Sequence, residues 1–198
     1  MAKPNWLTID PTSGSGNGTV DFSTASPHTG RTARTGVATF KAAGVDDIPK
    51  TVNQAGKPEF IQMQSSASAG KTNVTITGTS NSSKLNFTLG TGTLVIKLPA
   101  KYTANSVQTD NNVAIAGDPG ANAQFNFSIT ISVPANTTVT SLSKQIICTA
   151  AGGQKAICTL TQSAGDPTLQ VTPETIELSW EGTAVSAQVI SNTDWTVE

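Results

Sequence analysis

The run QFNFSITISV, residues 124–133, places Phe125, Phe127, Ile129, Ile131 and Val133 on one parity and Asn126, Ser128, Thr130 and Ser132 on the other. Alternation this strict can bury an apolar face only as an extended strand, because successive strand side chains point to opposite faces while a helix would scatter them around its axis. The same period recurs in TNVTITGT (72–79, Val74 and Ile76), KLNFTL (84–89, Leu85, Phe87 and Leu89) and KAICTLTQ (155–162, Ala156, Cys158 and Leu160). No stretch carries an amphipathic helical repeat. Turn signals separate the runs: SGSGNG at 13–18, GDPG at 117–120, AAGG at 150–153 and EG at 181–182. Pro134 closes the longest run, as suits a residue that cannot donate to a ladder. Short strands at this spacing predict an all-β protein built of immunoglobulin-like β-sandwiches.

Charged residues make up only 13% of the chain, the formal net charge is −1 and no Lys/Arg block occurs, which argues against nucleic acid and anionic membrane surfaces as partners. No run approaches the roughly 18–20 apolar residues of a membrane span. The start MAKPNWLTID does not resemble a secretory leader, so the expected site of synthesis is a cytosol. Cys148 and Cys158 flank a hairpin turn at AAGGQ and read as small, reduced, buried hydrophobes. With His28 the single histidine, no zinc-type cluster exists, and no metal or cofactor is expected.

Catalytic signals are equally sparse. The acids are scattered through turns and strand ends, whereas glycoside hydrolysis needs two carboxylates placed across one cleft. His28 lies in SPHTGRTAR without a nucleophile elbow or an orienting acid. GSGNG at 14–18 lacks the phosphate-loop pattern, and TDNNVAIAGDPG at 109–120 has oxygen ligands but not EF-hand spacing. No catalytic residue is predicted and the chain is not expected to be an enzyme.

One cadence organises the sequence. TGVATFKAAGVDDIPKTVNQAGKP (35–58) and SLSKQIICTAAGGQKAICTLTQSAGDP (141–167) each run through a strand pair to a glutamine and a small-residue exit. Each exit leads directly into a new strand start, EFIQM and TLQVT, which places domain boundaries near 58 and 167.

These residues carry a family likeness. NWLTIDPTSGSGNGTV, RTARTGVATF and VNQAG resemble, in order and spacing, the second half of a BACON domain, an immunoglobulin-like module of Bacteroidetes often described as carbohydrate-binding. The segment departs from the family at VDDIPK (45–50), where Pro49 interrupts the last strand. TLQVTPETIELSWEGTAVSAQVISNTDWTVE resembles the first half of the same module, and 59–166 is similar to one complete, divergent copy. The resemblance implies two sandwiches: one spans 59–166, and the other is assembled from 1–58 plus 167–198.

A half sandwich exposes its apolar face and unpaired strand edges. The split module therefore expects a shared core in which Trp6, Leu7, Ile9, Phe22 and Phe40 meet Ile176, Leu178, Val189 and Trp195. Burying six such side chains is worth roughly 10 kcal/mol before entropy, at about 1.5–3 each. Two closures supply it. The halves can meet within one chain, which needs no partner and is the favoured expectation, or the C-terminal half of one subunit can complete the N-terminal half of the next; a third reading takes the chain as a fragment of a longer array.

The resemblance implies a binding role. A start without a leader, polar modules and no active site suggest a virion protein like those of crAss-like bacteriophages, decorating the capsid or forming a head fibre. Its partners would be the major capsid protein or other virion proteins, itself, and glycans. The alternative is a carbohydrate-binding or spacer module of a Bacteroidetes secreted glycan-degrading protein, extracellular or at the cell surface. Sugar sites stack rings on exposed aromatics. With Trp6 and Trp195 at core-like positions, Trp180 and Tyr102 remain as candidate platforms.

Overall fold

The computed structural model describes residues 3–70 and 73–198. Met1, Ala2 and Thr72, which belong to motifs quoted above, lie outside the described residues. The elements in chain order are β1 (Leu7–Asp10), β2 (Asp21–Thr24), β3 (Arg34–Phe40), β4 (Ile48–Gln54), β5 (Ile61–Met63), β6 (Ser66–Ala69), β7 (Val74–Ser80), β8 (Leu85–Leu89), β9 (Lys101–Ala104), β10 (Val107–Asp110), one helical turn α1 (Pro119–Asn122), β11 (Phe125–Ile131), β12 (Leu142–Ala150), β13 (Lys155–Gln162), β14 (Leu169–Thr172) and β15 (Gln188–Ser191). The fold is all-β, as the alternating runs require.

The middle of the chain forms a two-layer sandwich. One sheet has the order β10-β9-β11-β7-β5 and the other β6-β13-β12-β8. The alternating run 124–133 is the centre of the first sheet, where β11 pairs antiparallel with β7 from Phe125 opposite Ser80 to Ile131 opposite Val74. Its apolar parity faces the second sheet, and Phe125, Phe127, Ile129, Ile131 and Val133 are all buried. They pack with Leu85 and Phe87 of β8, Ile146 and Cys148 of β12, and Cys158 and Leu160 of β13 in one continuous core. Phe87 stacks at a tilt on Tyr102, with ring centroids 5.1 Å apart, and meets Phe127 edge-on at 5.8 Å. One pairing is parallel: β6 runs alongside β13, from Ser66 opposite Thr159 to Ala69 opposite Gln162. The β12–β13 hairpin turns at Gly153, whose φ of 90° lies in the left-handed region that only glycine enters freely.

The two ends of the chain are built differently. At the N-terminus, β1 pairs with β2 and β3 with β4, as two separate two-stranded sheets. Pro49 does not break the last strand, since it sits within β4 opposite Thr39. β4 has no second neighbour, and proline is tolerated on such an edge. Leu7 and Ala38 are buried between the two hairpins, and the Phe22 and Phe40 rings lie 6.3 Å apart. At the C-terminus, β14 and β15 form a hairpin that joins no other sheet.

This arrangement corrects the expectation of closure within one chain. The N-terminal half meets the central sandwich at the Ser80–Phe125 end of the β7–β11 pair. The C-terminal hairpin leaves from the opposite end, where Gln162 donates to the Pro134 carbonyl. The seven residues of β7 span roughly 20 Å at about 3.3 Å each, so the halves stand at opposite poles. Trp6, Leu7, Ile9, Phe22 and Phe40 accordingly do not share a core with Ile176, Leu178, Val189 and Trp195 in a single chain.

Cys148 and Cys158 are free, fully buried thiols. They are diagonal rather than opposed, because Cys148 faces Ala156 and Cys158 faces Ile146. Burial pushes both thiols up from their usual range, leaving little of the reactive thiolate. In native protein at pH 8 neither cysteine should react with a disulfide-exchange reagent such as DTNB, and both should react on unfolding in guanidinium. Rapid titration of either thiol in the folded chain would contradict this core.

Candidate binding faces

The apolar residues of the two half modules are where the chain leaves surface unspent. Phe22 and Phe40 are each 40% exposed, and Phe40 lines a groove of about 620 Å³ together with Lys3, Ile9, Pro11, Val20, Ala38 and Lys41. Trp6 lies against β3, where a Cβ on Gly36 would meet its ring at 3.1 Å. The Arg34 guanidinium lies 4.7 Å from its ring, and Arg34 Nε donates to Gln54 Oε1 at 2.8 Å. In the C-terminal half, Leu169, Val171, Ile176, Leu178, Val185 and Trp195 are all exposed. These apolar side chains are open to solvent in the single chain.

Each half is fixed to the central sandwich by the same side-chain device. At the first joint Asn81, fully buried, accepts from the Phe60 N–H through Oδ1 at 2.9 Å. Its Nδ2 donates to the carbonyls of Thr29, Lys57 and Pro58 at 3.3–3.4 Å. Ser80 Oγ donates to the Phe60 carbonyl at 2.7 Å. At the second joint Asn192 Oδ1 accepts from Thr168 N–H at 2.8 Å, and Nδ2 donates to the carbonyls of Thr137 and Asp166 at 3.0 Å each. Ser191 Oγ donates to the Thr168 carbonyl at 2.9 Å. A Ser-Asn pair that follows the strand thus ties its own module's start to the exit and loop of the module before. The glycines of NQAGKP and TQSAGDP serve the same contact: a Cβ on Gly56 would strike the Arg31 backbone, and one on Gly165 the Asn136 backbone.

The first joint has further bonds. Arg31 clasps the Asp118 carboxylate with both terminal nitrogens, and the Arg31 and Thr32 N–H groups donate to the Gly120 and Ala121 carbonyls at 3.0 Å each. Asp118 holds the Arg31 guanidinium above its usual pKa by hydrogen bonding and charge. Gly120 fits because a Cβ there would enter the Asn81 backbone.

The remaining candidate residues fall as follows. Trp180 is 94% exposed at the tip of a turn in which Gly182 N–H donates to the Ser179 carbonyl, so it can serve as a stacking platform. Tyr102 cannot, which corrects that assignment. Its β9 parity points it into the sandwich, it is 2% exposed, and burial pushes its phenol up to about 12. His28 Nε2 contacts the Thr32 carbonyl at 2.7 Å. In the 109–120 loop, Asp118 serves Arg31, Asp110 faces Lys101, and the Asn111 side chain brackets the Phe87 backbone. Among the described residues no three His, Cys, Asp or Glu side chains converge, and no helix is long and apolar enough to cross a membrane. A shallow depression on the outer face of the five-stranded sheet is lined by Thr77, Thr79, Thr103, Asn126 and Ser128 and contains no titratable group.

The joints were not foreseen. Their signal was the SN dipeptide repeated in TSNSS and ISNTD, which stood in the sequence without an assigned role.

Comparison with known proteins gives one family. Residues 1–55, which contain β1 to β4, match the BACON family model, described as "Putative binding domain, N-terminal". No curated protein matches the chain. The match falls on the N-terminal segment that lines the groove of about 620 Å³.

Replacing Asn81 with Ala strands the Phe60 N–H and carbonyls of the linker in a buried setting. The substitution should lower the free energy of unfolding by about 2–3 kcal/mol in urea melts and speed tryptic cleavage after Arg31. Asn192→Ala, at a more exposed joint, should cost about 1 kcal/mol or less and leave the melting of the central sandwich unchanged.

Proposed function

We propose that this chain is a non-enzymatic structural and binding protein, a stiff end-to-end run of β-sandwich modules that presents surfaces to partners. The observation that carries the reading is the repeated joint. One Ser-Asn device fixes the linker at both ends of the central sandwich, where a flexible tether would suffice if the modules acted independently. Stiff spacing suits a protein that must hold a module at a set distance from a surface. Among the described residues no three His, Cys, Asp or Glu side chains converge, which fits a binding rather than a catalytic role.

The resemblance to modules of crAss-like bacteriophage proteins directs the reading to a virion. There the chain would decorate the capsid or form a head fibre, with the major capsid protein or another virion protein as partner. One specific observation favours a second reading. Trp180 projects from its turn almost fully exposed, as a sugar-stacking residue does, which fits a glycan-binding or spacer module of a secreted glycan-degrading protein.

A glycan array and co-sedimentation with phage capsids separate the two. The virion reading expects capsid binding unchanged by Trp180→Ala and no specific sugar. Specific sugar binding lost at least tenfold on Trp180→Ala, without capsid binding, would replace it with the second.

A further inference from the structure

We propose that the chain assembles head to tail, the C-terminal half of one copy inserting as strands into the N-terminal half of the next. The central sandwich supplies the template, because it is the same module closed. Its Ser80-Asn81 corresponds to Ser191-Asn192 by their shared bonding, which matches β7 to β15 and β5 to β14. Its exit glutamine Gln162 opposes Leu142 as Gln54 opposes Arg34, which matches β12 and β13 to β3 and β4. The antiparallel pairs β9–β11 and β1–β2 then correspond.

The closed module shows what each open edge lacks. There β11 pairs with β7, β12 with β8, and β13 with the parallel strand β6. In the N-terminal half the equivalent edges of β2, β3 and β4 have no partner. The C-terminal half contains the three missing pieces in the same order: β15, the segment 195–198 and the segment 174–179. Inserted in this register, β15 adds to β2, the Trp195 segment to β3, and the Ile176–Leu178 segment runs parallel to β4. Val185, Val189, Ile176, Leu178 and Trp195 then cover Ile9, Val20, Phe22 and Phe40.

Two further observations select a second copy as the occupant. The C-terminal half, 167–198, carries Glu174, Glu177, Glu181, Asp194 and Glu198 and no lysine or arginine, whereas 1–58 has six basic residues against four acidic, a net +2. Opposite charge favours their encounter and disfavours pairing of two C-terminal halves. The joints also continue. A neighbour's N-terminal half completing this C-terminal half would be followed by its own Asn81 joint, so every module in the array would be linked by the same device. The glycine-rich loop 11–19 corresponds to the loop carrying Gly120, and in the array it would meet the 136–140 turn as Gly120 and Ala121 meet Arg31 and Thr32. Such a heterologous contact does not close on itself and builds rods, or rings if the rotation permits.

The test is a mixing experiment on the full chain by light scattering. Wild-type mass should rise with concentration and fall in high salt. Phe22→Asp blocks the N-terminal face and Trp195→Asp the C-terminal face. Each variant should be monomeric alone, with the central sandwich intact by its unchanged thermal transition. Mixed one to one, they should form a complex of twice the monomer mass and no larger, because one intact face of each kind remains. A wild-type monomer at all concentrations, self-association of either variant alone, or no complex on mixing would overturn the proposal. To guard against a collapsed N-terminal half, Val20→Asp serves as a second block of the same face and should give the same heterodimer. Neither capsids nor sugars enter the measurement, so its failure is distinct from failure of the function proposed above.

Discussion

The buried amide of Asn81 sets the geometry of the molecule. It sits where three chain segments meet, the loop at Thr29, the linker at Lys57–Pro58 and the start of β5 near Phe60, and bonds to all three. A primary amide suits this position because it has two donors and an acceptor in one plane and bears no charge to desolvate. Without it, the part-buried carbonyls of Thr29, Lys57 and Pro58 would lose a partner, at a penalty of about 1–3 kcal/mol for each left unsatisfied. With the amide in place the linker backbone becomes part of the fold. Gly56 and Gly120 then let neighbouring backbones approach to distances that any side chain would forbid.

The consequence reaches the chain ends. Because the linkers are fixed rather than flexible, each half module is fixed at its own pole of the central sandwich and cannot fold back onto the other. The central sandwich does not depend on them: its core, from Ile61 to Leu160, closes through residues of one continuous segment. The terminal halves contrast with it. Each has strands and turns, but among the described residues Leu7 and Ala38 are the only apolar side chains there that are buried. The difference lies in facing layers, since the central strands form two sheets over one core whereas β1–β4 and β14–β15 stand as separate two-stranded sheets.

Local period and turn chemistry made most of the fold legible in the sequence. The QFNFSITISV run became β11 with its apolar parity buried, and the KAICTLTQ run became β13. Glycine at 153 and 182 marked turns that need a positive φ. Less legible was everything set by long-range placement. Tyr102 alternates with polar neighbours and reads equally well as inward or outward; the packing of Phe87 decides it. Pro49 reads as a strand breaker, yet an edge strand has no second ladder to lose. The closure of the split module could not be read because it depends on where two linkers point, and that rests on Asn81 and Asn192, residues whose local sequence looks like any polar turn.

A joint of this kind also limits what the modules can evolve to do. A flexible array can bind several partners independently, and each linker then contributes only an effective concentration. A fixed joint gives up that freedom and transmits orientation instead: a rotation imposed on one module is passed to the next through backbone hydrogen bonds. Two alternations of design follow from the same asparagine. Where the joint is buried and braced by the Arg31–Asp118 pair, as at the first linker, orientation is held firmly. Where Asn192 stands half-exposed and lacks the counterpart of that pair, orientation is held by the amide alone. The missing brace belongs to the part of the module that the C-terminal half does not itself contain, so the second joint would reach the stiffness of the first only when that module is completed. In the head-to-tail assembly proposed above, stiffness and assembly are one event at this end of the chain, and a binding face presented there would acquire its direction on the same occasion that it acquires its partner.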